Sequence, residues 1–335
     1  MNLRFFIVGL GSMGKRRIRN LLANNEKNII GFNPSPERRK EAEEKYGIKT
    51  VDDLKKIRPE DFDVLIISSP PDTHGDYIRY AISHKKHFFV EHPTYTDGYE
   101  EIFKNKNSGI IMAPSSTLRH YAPIKMIKDF LQKGRIGKIL AFQYHMGQYL
   151  PDWHPWEDYR EVYFSKKETG ACREMLPFEL IWLNWLMESA PSEVSGIITK
   201  VSDLDMDADD IALAGLKYEN GILGSVLIDV ISRKAVRTLR VLGTDGVLDW
   251  ERFDHQIKIY DAGSKLTEVV SVPKGNPEKG YVNEEEMYND EIKAFLNAIY
   301  GKSPYPFLFE ENLKNLKTLF ALEEAFASKT YKSIV

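Results

Sequence analysis

The sequence has a single cysteine, Cys172. Neither a disulfide framework nor a cysteine-ligated zinc site is open to it. It lacks a run of about 18 apolar residues, so no transmembrane helix and no membrane partner are expected. The opening Met1-Asn2-Leu3-Arg4-Phe5-Phe6-Ile7-Val8 reaches Gly9 too soon for a signal peptide, and a cytoplasmic location is expected. A charge excess is also missing. The formal net charge is -3 and the pI is about 6.3. A general binder of phosphate backbones carries a basic surplus, so no nucleic-acid partner is expected. There is no repeat period and no low-complexity tract. What remains is an ordinary globular composition, 42% hydrophobic and 28% charged, over 335 residues. That length exceeds what one hydrophobic core usually fills, so two domains are expected.

The first third alternates short apolar runs with helical patterns. Phe5-Phe6-Ile7-Val8, Ile29-Ile30-Gly31-Phe32, Val64-Leu65-Ile66-Ile67, His87-Phe88-Phe89-Val90 and Ile110-Ile111-Met112 read as strands. Helical spacing lies between them, at Ile18, Leu21 and Leu22, from Pro36 to Tyr46, and from Thr73 to Ser83. Near-continuous apolar strands separated by helices indicate a parallel sheet covered on both faces. Right-handed crossovers then make a doubly wound sheet the simplest topology.

After about residue 140 the texture changes. Ile139–Met146 reads as a strand, and 147–169, rich in Trp, Tyr, Pro and charge, as no single element. Ile211–Tyr218, Ile222–Ile231 and Leu239–Leu242 suit antiparallel pairing. Glu219-Asn220-Gly221 and Thr244-Asp245-Gly246 are turn signals, because Asn-Gly tolerates positive φ at both positions. Helical patterns return at Glu284–Tyr300 and Glu311–Ala327. The expected architecture is an α/β dinucleotide-binding domain over 1–122 and an α+β domain over 123–335. The second would hold an open, mainly antiparallel sheet, bind substrate and support homo-oligomerisation.

Gly9-Leu10-Gly11-Ser12-Met13-Gly14 follows the first strand and opens a helix, the context that gives the G-x-G-x-x-G pattern its meaning. Gly9 permits the tight turn, Gly11 lets backbone approach a pyrophosphate, and Gly14 lets helix pack on strand. The N–H groups of Ser12, Met13 and Gly14 would face the anion. Lys15, Arg16 and Arg17 in the first turn oppose the helix dipole. Either a bound anion offsets them or they reach solvent. Asn33 lies 19 positions beyond Gly14, in the slot where an acid usually binds the ribose. An amide can still bond a ribose without repelling a 2′-phosphate, and Arg38 could pair with one. Alternatively Arg38 and Arg39 line the solvated face of the next helix. The cofactor is NAD or NADP.

The glycine loop, then Asp63–His74, then Lys86-His87-Phe88-Phe89-Val90-Glu91-His92-Pro93, resembles the glucose-fructose oxidoreductase/inositol dehydrogenase/rhizopine-catabolism (Gfo/Idh/MocA) family. The resemblance extends through Leu118-Arg119-His120, Gly134–Ile139, Asp209-Asp210 and Gly243-Thr244-Asp245-Gly246. It implies an N-terminal Rossmann domain, a C-terminal open sheet, NAD or NADP, and chemistry at a sugar or polyol carbon. It also implies cofactor contacts at Ser69, Pro70, His74, Glu91 and His92, and a substrate contact at Arg119. His74 has a second reading, structural, shared with His84, His87 and His255. Two departures stand out. The family's Glu-Lys-Pro is Glu91-His92-Pro93 here, and its Asp with a His four residues on becomes Glu174 and Phe178.

The replacements retain chemistry. An unperturbed histidine titrates near ~6.5 and lysine near ~10.4, so His92 is a candidate proton acceptor at neutral pH. Its titration is expected between about 6 and 7.5 unless burial or Glu91 moves it further. Against this stands a plain polar cap at a strand end. Glu174 keeps a carboxylate, and Glu179 follows five residues on, roughly 140° around a helix. Either is a candidate catalytic group or a salt-bridge partner. Trp153, His154, Tyr159 and Arg160 offer stacking and polar groups to a carbohydrate, or else form a capping or oligomer-contact loop. No metal site is expected.

The function expected is hydride transfer between the nicotinamide and a sugar, sugar acid or nucleotide-sugar carbon. The alternatives are a dinucleotide-binding sensor without turnover, and transient use of NAD in epimerisation or glycoside cleavage.

Overall fold

The computed structural model describes residues 2–153, 157–278 and 283–334. In chain order the elements begin β1 (Phe5–Val8), α1 (Ser12–Ala23), β2 (Ile29–Phe32), α2 (Pro36–Tyr46), β3 (Lys49–Val51), β4 (Val64–Ile67), α3 (His74–Ser83), β5 (His87–Val90), α4 (Tyr99–Lys104) and β6 (Met112–Pro114). Then come α5 (Ala122–Gln132), β7 (Ile139–Gly147), α6 (Ala171–Met187), β8 (Pro191–Thr199), β9 (Ile211–Tyr218), β10 (Leu223–Asp229), β11 (Val236–Gly243) and β12 (Gly246–Glu251). The chain closes with β13 (Gln256–Asp261), β14 (Thr267–Ser271), α7 (Glu285–Ile299), α8 (Phe309–Ser328) and β15 (Lys332–Ser333).

Two compact units result, residues 1–120 with 275–312 and residues 121–274 with 313–335. The second unit is therefore not the continuous stretch 123–335 read from the sequence. Residues 275–312 return to the first unit. Periodicity shows that α7 has an apolar face, but not which core that face joins. Met287, Tyr288, Ile292 and Phe295 of α7 are buried, and Phe295 packs on Phe89 of β5 with ring centroids 5.7 Å apart.

The first unit is a six-stranded parallel sheet in the order β3-β2-β1-β4-β5-β6. Every residue of β1 and β4 is buried. Phe88 and Phe89 point to opposite faces and each meets a ring, Phe309 at 6.0 Å and Phe295 at 5.7 Å. The doubly wound order reverses between β1 and β4, which opens a crevice at the carboxyl ends of those strands.

The second unit holds a nine-stranded sheet, β14-β13-β12-β11-β7-β10-β9-β8-β15. All its neighbours are antiparallel except β7 and β10, which run parallel. One face is apolar and covered. Tyr144 of β7 meets Trp182 of α6 at 5.1 Å, and Trp182 meets Trp250 at 6.1 Å. On the other face, paired residues such as Ile197, Leu213 and Leu227 remain at least partly exposed. The Asn220-Gly221 turn joins β9 to β10 as expected, with Gly221 at φ +87°.

Candidate active site

The dinucleotide cradle follows from backbone geometry. Gly9 has φ +92°, and a Cβ there would lie 2.3 Å from the Ser68 carbonyl oxygen. A Cβ on Gly14 would lie 1.8 Å from the Gly9 carbonyl oxygen. Both positions are closed to any other residue. Gly11 is different. Among the described residues a Cβ there meets only an Arg38 guanidinium nitrogen, at 3.5 Å. Gly11 caps α1 without a side-chain bond, and the first turn has no acid. The first N–H groups of α1, from Ser12, Met13 and Gly14, thus have no intrahelical carbonyl to donate to. An open approach and a positive helix end are what a pyrophosphate requires, so these residues fit a dinucleotide.

The three cations in the first turn of α1 are each tied to a carboxylate of the protein. Lys15 pairs with Glu41 at 2.7 Å. Arg16 is buried, pairs with Glu285 at 2.9 Å and stacks 3.9 Å over the Tyr288 ring. Arg17 is fully buried between two acids, with Glu91 at 2.7 Å and Glu291 at 2.9 Å. Glu291 also accepts from the Ser115 hydroxyl at 3.0 Å and the Thr117 hydroxyl at 2.8 Å. Arg16 and Arg17 thus fasten the returning helix α7, and Lys15 ties α1 to α2. The sequence could not show this, because Arg17 and Glu291 lie far apart in the chain. Glu91, read as a cofactor contact, has its carboxylate committed to Arg17 and to the Ser68 hydroxyl at 3.2 Å.

Asn33 is buried at the end of β2. Its Oδ1 accepts from the Ser35 N–H at 2.9 Å, and its carbonyl accepts from Arg39 at 2.7 Å. Ser35 caps α2 by accepting from the Arg38 N–H at 3.2 Å. Arg39 is thereby spent on backbone, and exposed Arg38 is left beside Gly11. Ser69 and Pro70 lead from β4 toward α3. The Ser69 carbonyl accepts from His74 Nε2 at 2.9 Å, and the Ser69 and Thr73 hydroxyls lie 2.6 Å apart. That bond fixes the His74 tautomer, leaving Nδ1 as an acceptor with no partner among the described residues. Burial lowers the His74 pKa to about 4.

His92 is 6% exposed, directly after β5 and Glu91. Burial, with a smaller repulsion from His74, lowers its pKa to about 3. Burial is the exception attached to the expected range of 6 to 7.5, and it applies here. This burial favours the neutral imidazole.

Arg119 is also redirected. It is 8% exposed, pairs with Glu311 at 2.8 Å, donates to the Pro306 carbonyl at 3.3 Å and lies 4.5 Å over the Phe307 ring. These contacts anchor the returning segment.

In the second unit, α6 separates the two glutamates. Glu179 has no exposure. It accepts from Tyr144 Oη and from Trp182 Nε1, each at 2.6 Å, and pairs with Arg237 at 2.7 Å. These bonds place it in a core network, which matches the salt-bridge alternative of its two readings. Five helical positions turned it away from Glu174 and into the sheet. Glu174 lies in the first turn of α6, half-buried, and its Oε1 accepts from Tyr163 Oη at 3.2 Å. Tyr163 was missed in the sequence because it sits eleven residues away across an irregular turn. Pro177 lies inside α6.

Trp153 packs on Phe164 at 4.3 Å, and Tyr159 joins the same apolar cluster around Leu150, Phe164 and Val230. Tyr159 Oη accepts from the Asp205 N–H at 3.0 Å. Exposed Arg160 pairs with Asp158 at 2.5 Å and Asp205 at 3.6 Å. These side chains knit the loop to its own unit. His154 lies outside the described residues. Among the described residues no helix is long and apolar enough to cross a membrane.

Known proteins give this arrangement a context. Residues 3–108 match the model of an oxidoreductase family with an NAD-binding Rossmann fold, and residues 124–249 match the GFO/IDH/MocA C-terminal domain. The chain is 21% identical to the 1,5-anhydro-D-fructose reductase of Ensifer adhaerens, over 84% of this chain and 82% of that one. It is 22% identical to the myo-inositol 2-dehydrogenase of Thermotoga maritima, over 98% and 97%. It superposes on an oxidoreductase from Agrobacterium radiobacter, solved with NAD+, L-tartaric acid and magnesium, with TM-score 0.86 and 15% identity over 100% and 99% of the two chains. With both of its halves matched, the chain belongs to the GFO/IDH/MocA family of NAD-binding oxidoreductases.

Proposed function

We propose that this protein is an NAD(P)-dependent dehydrogenase or reductase acting at a secondary alcohol or ketone of a sugar, polyol or sugar acid. The observation that carries it is the uncapped, acid-free start of α1 behind Gly9, Gly11 and Gly14. Two relatives whose names are those of an anhydrosugar reductase and an inositol dehydrogenase support the substrate class. The nicotinamide, when bound, carries the hydride, so the protein supplies position and a proton path. Glu174 is the proton handler in this reading, and His92 a neutral hydrogen-bonding contact. Asn33 in the acidic slot and Arg38 beside Gly11 favour acceptance of a 2′-phosphate, so NADP is taken as well as NAD.

The same reading includes a homo-oligomer formed through the open face of the nine-stranded sheet. Ile197, Leu213, Leu223, Tyr260 and Val269 are 37–56% exposed there. A hollow of about 390 Å³, lined by Gln143, His145, Arg240, Asp249 and Lys258 among others, lies on that face.

The test is a panel of aldoses, ketoses, polyols, uronic acids, nucleotide sugars, myo-inositol and 1,5-anhydro-D-fructose, with both cofactors in both directions. Nicotinamide absorbance reports turnover. Glu174→Gln is expected to lower kcat by about 10²–10⁴-fold, with cofactor Kd unchanged. Dinucleotide binding with no turnover across the panel would favour a ligand sensor, a reading to which the weak basicity of His92 already lends support.

A further inference from the structure

The turn leading into α6 is more constrained than a connection needs. Thr169 Oγ1 donates to the Tyr163 carbonyl at 2.7 Å, and the Gly170 N–H to the Lys166 carbonyl at 2.8 Å. Ser165 Oγ donates to the Val162 carbonyl at 2.9 Å. A Cβ on Gly170 would lie 2.0 Å from the Phe164 carbonyl oxygen, so only glycine lets the chain double back there. Ala171, fully buried, then adopts φ +46°, a left-handed conformation unfavourable for an L-residue. The Cys172 N–H donates to the Asp209 carbonyl at 3.2 Å and fixes the first turn of the helix. Strain of this kind persists where surrounding contacts over-determine it, and it concentrates at functional sites. Its local result is that Tyr163 Oη points at Glu174 Oε1, 3.2 Å away, with Phe164 buried beneath.

We propose that Tyr163 is the positioning residue of Glu174. Its phenol holds the carboxylate ionised and oriented to receive the substrate's hydroxyl proton. This rests on the reading of Glu174 as proton handler and adds the group that sets its ionisation. In alcohol oxidation the substrate O–H bond breaks and its proton goes to the Glu174 carboxylate. The C–H hydrogen leaves with its electron pair to the oxidised dinucleotide, and a C=O forms. A hydrogen bond donated to the charged form of an acid favours that form and lowers its pKa. The phenol stays protonated near neutral pH and remains a donor.

The experiment uses the full chain labelled with [δ-13C]glutamate. The Glu174 resonance is identified by its loss in Glu174→Gln, then followed against pH in the parent protein and in Tyr163→Phe. Tyr163 is 40% exposed, so the variant keeps its fold. The Glu174 midpoint should rise by about half to one unit in Tyr163→Phe. The low-pH limb of kcat for whichever panel compound turns over should rise with it, while cofactor Kd stays constant. A tyrosine that only packs would change thermal stability and leave the midpoint alone. An unchanged midpoint therefore overturns the proposal. Full turnover in Glu174→Gln would instead overturn the assignment of Glu174, and with it the catalytic role given to Tyr163.

Discussion

The two units hide their sheets differently. In the first, every position of β1 and β4 is buried, and both faces of β5 meet aromatic rings. In the second, β9 alternates buried and partly or fully exposed positions along its length, because helices cover one face only. The consequence reaches the chemistry. A sheet closed on both faces leaves its strand ends and loops for polar groups, and the glycine loop, Ser69, His74 and His92 all sit there. A half-open sheet leaves a surface free for another molecule, and its candidate acid is carried instead on the first turn of a helix.

Each unit also buries a carboxylate completely, and their surroundings differ. Glu291 shares Arg17 with a second acid, Glu91. Glu179 has Arg237, 12% exposed in its side chain, and two neutral donors. Arg17→Met would leave two acids facing each other without a cation, at a cost of about 3–5 kcal/mol. Glu179→Gln keeps an acceptor for Tyr144 and Trp182, and about 1–3 kcal/mol is expected. Urea unfolding of the two variants checks this order. Equal losses would mean that the double-acid arrangement contributes nothing special. Glu179→Gln should also retain turnover, in contrast to Glu174→Gln.

A second contrast is with acid. Unfolded histidines take up protons below about 6.5. Folded His74 and His92 do so only near about 4 and about 3. Between those values the unfolded state binds more protons, so stability is full above 6.5 and falls as pH drops. The loss is on the order of 3 kcal/mol for His74 by the size of its shift. Unfolding free energies at pH 7 and 4.5 should differ less in His74→Asn and His92→Asn than in the parent protein. The same pH dependence in all three would show that these imidazoles are solvated.

The smallest expected effect tests the glycines. Gly9 and Gly221 both have positive φ, but a Cβ at Gly221 meets nothing within 4 Å among the described residues. Gly221→Ala should cost only the backbone term, roughly 1–2 kcal/mol, and leave dinucleotide affinity intact. A larger loss would mean that the β9–β10 turn fails to form.

The sequence by itself determined the local order of both units. Uninterrupted apolar tetrads such as Val64–Ile67, alternation in Ile211–Tyr218, and the glycine spacing at 9, 11 and 14 depend on neighbours in the chain, and they read correctly. Tertiary structure alone decided the rest. It made α7 part of the first unit, because an apolar helical face does not name its partner. It turned Arg17, Glu91, Arg119 and Glu179 into internal ties, because ion pairs form between residues distant in the chain. It lowered the His92 pKa, because burial disfavours the charged imidazole. It also brought Tyr163 to Glu174, because the turn that joins them bends where only Gly170 leaves room for the backbone to cross itself.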